Sequence, residues 1–296
     1  MASWKNATGS LADSAADSAA DSAAKARGVL RPEETVRAAD LRRDHPVAPG
    51  LRPFVERYWS VRWDLTGRPP FRSEVLSHPS VNVSVESGTH PRFGYRLPAV
   101  LVHGVVTHRF TVDLLGAGRV TAVKFRPGGY VAFGGRQPAR NSVTPLGAEL
   151  GPDPNDLQAA VLAEDDDAAR AAVLDAALSP LAPEPPAPYL DLLGLIERMG
   201  ADRTLVRVDQ VADLGAMSVR SLQRLFAAYV GVSPKAVLAR YRLQDAAAAL
   251  DAGDGGDLAG LAASLGWFDQ AHFSRDFRAV VGLTPSAYLR RTRALR

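Results

Sequence analysis

Two copies of one pattern, 51 residues apart, occupy the last third of the chain. Leu214, Gly215, Arg224, Phe226, Val230, Gly231, Pro234, Leu238, Arg240 and Arg242 recur as Leu265, Gly266, Arg275, Phe277, Val281, Gly282, Pro285, Leu289, Arg291 and Arg293. Ten identical pairs at one offset restrict this region to a repeated supersecondary unit. The punctuation is that of short helices. Ser218 and Asp269 suit N-caps, while Ser233-Pro234 and Thr284-Pro285 suit an N-cap followed by proline at the first helical position. Gly215, Gly231, Gly266 and Gly282 stand where helices should stop. Each copy therefore reads as short helix, tight turn, second helix, third helix.

In the first copy a helix over Asp209 to Leu214 ends at Gly215, and Ser218 opens a second whose apolar face is Leu222, Leu225, Phe226 and Tyr229. The opposite face carries Arg220, Gln223 and Arg224. Two guanidinium forks and an amide, with no carboxylate, match the acceptors that guanine, adenine and phosphate offer in a major groove. In the second copy Phe273, Phe277 and Val280 point inward, leaving Gln270, His272, Ser274, Arg275 and Arg278 for groove and surface. The pattern is a helix-turn-helix read twice. Trp267 and Phe268 are expected to pack between helices.

Net charge, only +3, would not argue for nucleic acid by itself. Its distribution says more. Arg203 to Arg242 holds seven basic residues against Asp209 and Asp213, Leu243 to Phe268 holds four aspartates and no base, and Asp269 to Arg296 holds six basic residues against two acidic. Two basic blocks flank an acidic one. Arg240, Arg242, Arg290, Arg291 and Arg293 are expected on a solvated or phosphate-facing surface.

The remaining two-thirds is organised differently. Residues 1–40 contain three successive Ala-Asp-Ser-Ala tetrapeptides from Ala12 to Ala23, too small and polar to offset ordering entropy, and are expected to be a disordered tail. Residues 41–181 read as a β-rich domain with following helices. Val55, Arg57, Trp59, Val61, Trp63 and Leu65 alternate with mostly polar neighbours, as do Val81, Val83 and Val85 with Asn82, Ser84 and Glu86. A barrel or sandwich is expected. Helical spacing begins after Pro145, at Leu157, Val161, Val173, Leu174, Ala177 and Leu178. Four prolines in residues 182–188 predict an extended spacer, which leaves residues 189–296 as an all-α domain. The fold class is α+β in two domains.

Residues 205–293 resemble the paired helix-turn-helix domain of the AraC family of bacterial transcription regulators. The similarity rests on Met-Ser-Val-Arg-Ser-Leu-Gln-Arg-Leu-Phe (217–226), Gly-Val-Ser-Pro (231–234), Arg-Leu-Gln-Asp-Ala (242–246), Leu-Gly-Trp-Phe-Asp-Gln-Ala-His-Phe-Ser-Arg-Asp-Phe-Arg (265–278) and Gly-Leu-Thr-Pro-Ser-Ala-Tyr (282–288). The resemblance implies DNA contacts from Ser218, Arg220, Gln223, Arg224, Gln270, His272, Arg275 and Arg278. Ala271 stands where some relatives carry a longer polar side chain, which implies weaker reading by the second helix. Arg57-Tyr58-Trp59, His78-Pro79-Ser80-Val81-Asn82 and Lys124-Phe125-Arg126-Pro127-Gly128-Gly129 are similar to pieces of a cupin-like sensory or dimerisation domain.

Other chemistries find little support. The chain has no cysteine, which removes thiolate catalysis, disulfides and cysteine zinc sites. His78, His90, His103 and His108 show no His-x-His pair with a following carboxylate, so neither metal nor cofactor is expected. Gly128, Gly129, Gly134 and Gly135 lack the Lys-Ser/Thr of a phosphate loop, and no catalytic constellation is apparent. Trp59 and Trp63 share one strand face as core, and as the apolar wall of a ligand pocket if the β domain encloses one. The expected function is sequence-specific, non-enzymatic, DNA-binding transcription regulation, with an N-terminal domain that senses a small molecule or dimerises. The expected target is double-stranded DNA in two successive major grooves. A small-molecule effector, a second copy of the chain and RNA polymerase are further candidate partners. No membrane span or secretory signal is seen, which makes the cytoplasm the expected location. Two alternatives stand beside this reading: a cupin-like enzyme or ligand-binding protein with a helical appendage, and a non-specific DNA-binding structural protein.

Overall fold

The computed structural model describes residues 29–30, 32–253 and 256–293. After a short helix, α1 (Pro32–Ala38), the chain lays down β1 (Asp40–His45), β2 (Val55–Leu65), β3 (Phe71–Val75), β4 (Asn82–Gly88), β5 (Ala99–His103), β6 (Phe110–Leu114), β7 (Gly116–Phe125), and, after a short helix α2 (Gly129–Phe133), β8 (Val143–Pro145). Six strands form one antiparallel sheet in the order β1-β2-β7-β4-β5-β8, and β3 and β6 pair separately. The larger sheet is not closed into a barrel: β1 and β8 are its edges among the described residues.

Both faces of that sheet are covered, which the alternation did not disclose. A bulge between Val55 and Arg57 resets the parity of β2, so Val55 and Tyr58 face one side and Trp59, Val61, Trp63 and Leu65 the other. Tyr58, Val83, Val85, Val123 and Phe125 form a core with α3 (Pro154–Ala163) and α4 (Asp167–Leu178), through Leu157, Val161, Leu174 and Leu178. On the opposite face the polar members of β4, Asn82 and Glu86, turn not to water but into an interior cavity roofed by β3 and β6. Gly118 pairs with Trp63 across the β2–β7 ladder, and the indole occupies the space that a Cβ there would need.

The expected tail is shorter than residues 1–40. The Ala-Asp-Ser-Ala tract lies outside the described residues, but Val29 bridges to Val75, Leu30 is buried, and β1 adds an edge strand along β2. The physical reason is local: beyond the tetrapeptides the sequence supplies Val29, Leu30 and Leu41, enough apolar surface to dock. Leu30 packs with Leu76 of the β domain and with Leu243, Phe273 and Phe277 of the helical region. Replacing it with alanine is expected to cost about 2 to 4 kcal/mol, read as a lower denaturant midpoint of the full chain. An unchanged midpoint would mean that the segment does not dock.

The C-terminal helices are α5 (Ala187–Ala201), α6 (Val208–Leu214), α7 (Val219–Leu225, continued by a π turn over Phe226–Val230), α8 (Pro234–Ala252), α9 (Leu258–Ser264), α10 (Gln270–Val281) and α11 (Pro285–Arg293). The proline run separates them from the β domain in sequence only. One hydrophobic cluster runs from Leu51 and Phe54 through Tyr189, Leu192 and Ile196 to Leu222, Phe226 and Val237. Phe54 stacks on Tyr189 at 6.0 Å, and the Tyr189 hydroxyl donates to the Pro53 carbonyl at 2.6 Å. Pro186 and Pro188 do not extend a spacer but open α5, where a missing N–H costs nothing.

Candidate nucleic-acid interface

The two helix-turn-helix units are α6–α7 and α9–α10, joined by α8. Ser218 caps α7 by accepting from Ser221 N at 3.1 Å, and Asp269 caps α10 by accepting from His272 N at 2.6 Å. Gly231 (φ 78°) and Gly282 (φ 82°) end the two recognition helices in the left-handed conformation that glycine adopts without penalty. Leu222 and Phe226 on α7, and Phe273 and Phe277 on α10, are buried. The amphipathic split read from the sequence therefore describes both helices.

The outward faces carry the expected side chains. Arg220, Gln223 and Arg224 are exposed, as are Gln270, Arg275 and Arg278. None of these four arginines shares an ion pair with a carboxylate among the described residues. His272 differs: its Nε2 lies 3.2 Å from Asp276 Oδ2, one helical turn on, and that same oxygen accepts from Trp267 Nε1 at 2.9 Å. The ring is tethered along its own helix rather than free to search a groove. Ser218 likewise spends its hydroxyl on the cap.

The units are not equal at their turns. Ala216 (φ 49°) and Gly266 (φ 80°) hold the same left-handed position, and Met217 N and Trp267 N donate to Ala212 and Ala262 carbonyls in the same way. All these pairs are 50 apart, whereas the caps Ser218 and Asp269 are 51 apart. The sequence pairing of Leu214-Gly215 with Leu265-Gly266 is therefore out of step with the structure by one residue. Phe268 is the extra residue. Trp267 fills the inter-helix space as expected, but Phe268 is 93% exposed.

The arginines of α8 serve structure. Arg240, expected on the surface, is buried and donates to the carbonyls of Val106 (3.0 Å) and His108 (3.4 Å) in the β domain. Burial pushes its guanidinium down to about 10. Gln244 donates to the Leu76 carbonyl at 2.6 Å, and Arg109 N to the Val280 carbonyl at 3.0 Å. Arg242 donates to the Gly266 carbonyl at 3.0 Å and lies 4.8 Å from the Trp267 ring centre. Arg290 and Arg291 are exposed. Arg240→Met keeps the apolar stem but strands two carbonyls, so the full chain should lose about 1 to 3 kcal/mol of stability in a denaturation midpoint. No loss would mean that water replaces the guanidinium.

The cavity beneath β3 and β6 has about 170 Å³ of free volume. Trp59, Val61, Phe93, Phe110 and Val112 form much of its apolar wall. Trp63 is not part of that wall: it lies in the core beyond, donating to the Leu115 carbonyl at 3.1 Å, with the Arg92 guanidinium 5.0 Å from its ring centre. The polar wall was not foreseen. Glu86 accepts from Ser84 Oγ at 2.8 Å and lies 3.1 Å from His103 Nε2 and 2.8 Å from Arg92 Nη1, the last an ion pair too poorly aimed to be a hydrogen bond. Burial works to raise the Glu86 carboxyl, but His103, the Arg92 charge and Ser84 hold it below the ordinary carboxylate range. Nearby, Lys124 Nζ lies 2.7 Å from Glu56 Oε2, and Arg57 3.1 Å from Glu56 Oε1. His78, its charging disfavoured by burial, packs edge-on against Tyr241 of α8 at 5.5 Å. The signal of this polar wall in the sequence was the run Asn82, Ser84, Glu86, polar residues at every second position of a strand whose other face is Val.

The four histidines are dispersed: His103 meets Glu86, His78 meets Glu56 and Lys124, His90 meets Thr89, and His108 meets the Arg109 carbonyl. No group of three or more metal-binding side chains is assembled among the described residues.

Two family models match separate segments of the chain. Residues 211–291 match the family described as "Helix-turn-helix domain", and residues 43–141 match a "Domain of unknown function (DUF6597)". An uncharacterized HTH-type transcriptional regulator of Haemophilus influenzae is 36% identical over 81 residues, which is 27% of this chain and 27% of that protein. The chain thus matches about a quarter of that relative's length. Among solved structures, the C-terminal domain of AraT, a response regulator from Geobacillus stearothermophilus, is 21% identical, with 34% of this chain and 84% of that one covered and a TM-score of 0.32. ToxT from Vibrio cholerae is 10% identical over 85% of this chain and 97% of that one, with a TM-score of 0.43.

Proposed function

We propose that this chain, whose residues 211–291 match a helix-turn-helix domain, is a sequence-specific, DNA-binding transcription regulator of the AraC type that performs no catalysis. The observation that carries the reading is the pair of recognition helices, each capped, each docked by an aromatic face, and each offering exposed guanidinium and amide groups outward. Arg220, Gln223 and Arg224 serve one groove, and Gln270, Arg275 and Arg278 the next. Because α5 and the connecting helix α8 are packed on the β domain through Tyr189, Arg240 and Gln244, and α10 through the Val280 carbonyl, the spacing between the grooves is set by the whole chain rather than by α8 alone. A non-specific structural DNA-binding protein would need basic surface without two matched readers.

The interior cavity supports a sensory role for residues 41–181, with Trp59 on the apolar wall and Arg57, Arg92 and Lys124 as the cationic groups that orient a small effector. Its wall reaches α8 directly, since Val106 and His78 line the cavity while the Val106 carbonyl holds Arg240 and the His78 ring meets Tyr241. A second copy of the chain and RNA polymerase complete the proposed set of partners, and the DNA target puts the protein in the cytoplasm.

The test is selection of duplexes from a random pool by the full chain. A recurrent sequence whose binding resists excess random competitor, and weakens steeply with salt through counterion release, is the expected result. Enrichment of no sequence above the random pool would overturn the regulator reading.

A further inference from the structure

Phe268 is an unusual residue by three independent observations. It is the one residue by which the second helix-turn-helix outgrows the first, inserted between Trp267, which matches Met217, and the cap Asp269, which matches Ser218. It is apolar and 93% exposed, far more than any other large hydrophobic residue on the described surface. It sits at the N-terminal entry to α10, immediately before the cap Asp269 and two residues before the exposed Gln270. Its neighbour explains why it is not needed for packing: Trp267 already fills the space between the helices, on Phe273 at 4.8 Å and beneath Arg242.

A phenyl ring left 93% exposed keeps nearly its whole apolar area available for burial against a partner surface. The tip of a recognition helix is the part that enters deepest beside base edges. The one apolar feature of a major groove is the thymine 5-methyl group, which hydrogen-bonding side chains cannot read. We propose that Phe268 is a specificity-determining residue that packs on a thymine methyl at the edge of the groove read by α10. This rests on the DNA-reading function proposed above and adds to it. It also gives the second helix a reader where the tethered His272 and the short Ala271 leave few.

The experiment uses the full chain and the duplex it selects. Each thymine is replaced in turn by uracil, which removes one methyl and no hydrogen bond, and the affinities of the wild type and Phe268→Ala are compared. At one thymine in the half-site of α10 the wild type should lose roughly fourfold, the worth of one buried carbon, and Phe268→Ala should lose nothing there. Because the side chain is exposed, the variant should melt like the wild type. If uracil costs both proteins equally at every position, or Phe268→Ala binds the intact site as tightly as the wild type, Phe268 does not read DNA. Failure of the full chain to select any sequence would instead overturn the regulator reading, and this inference with it. An Arg275→Ala control should keep the uracil penalty, separating the methyl contact from general loss of the second unit.

Discussion

Glu86→Ala should destabilise the β domain by about 3 to 5 kcal/mol, the cost of stripping a buried charge of its partner. The carboxylate stands beside Arg92, whose side chain is only 9% exposed, and also engages His103 and Ser84. Without it the guanidinium keeps its charge, 5.0 and 5.3 Å from the ring centres of Trp63 and Phe93, with no other carboxylate at ion-pair distance among the described residues. The double variant Glu86→Leu, Arg92→Met should recover most of that loss, since the pair is then replaced by apolar groups of similar size. Acid has the same effect by another route. The folded carboxyl of Glu86 is held below its ordinary value, so its stabilisation is complete above the carboxylate range and disappears as pH falls through the folded pKa. Denaturant midpoints against pH should therefore slope less steeply in acid for Glu86→Ala than for the wild type. Equal midpoints at neutral pH would show that water, not Glu86, balances Arg92.

Arg224→Ala and Arg275→Ala should each weaken binding to the selected site by about 1 to 3 kcal/mol, and should do so through different base pairs. The reasoning is geometric. Each arginine is exposed on a recognition helix, one turn beyond the exposed Arg220 or Ala271, and neither is neutralised by a carboxylate among the described residues. A bidentate contact to guanine loses discrimination at one position, whereas a phosphate contact weakens all sequences alike and lowers the salt slope by about one. Affinities measured for the site and for its single-base variants, at several salt concentrations, distinguish these outcomes. Neither arginine mattering at any sequence would place the DNA surface elsewhere.

The C-terminal units could be read in the sequence because their signals are local: caps, glycine stops and apolar residues at helical spacing. The same locality misled at the turn. Leu214-Gly215 and Leu265-Gly266 are identical, but the left-handed position belongs to Ala216 in one unit and Gly266 in the other, because backbone geometry and not residue identity sets the register. Arg240 looked like its repeat partner Arg291, and only tertiary contact with Val106 and His108 buries it while Arg291 stays exposed. The cavity was half legible. Trp59 sits on its wall, but Trp63, on the same strand face, lies past its end, and Glu86, Arg92 and His103 come from three segments that no spacing rule connects. Val29 and Leu30 were hidden by the low-complexity tract before them.

Hydroxyl-radical footprinting of the full chain on its selected duplex tests the central claim most directly. The account predicts two short protected patches on one side of the helix, about 10 base pairs or roughly 34 Å apart, with Arg224→Ala erasing one patch and Arg275→Ala the other. A single patch, or both variants erasing the same one, would contradict it.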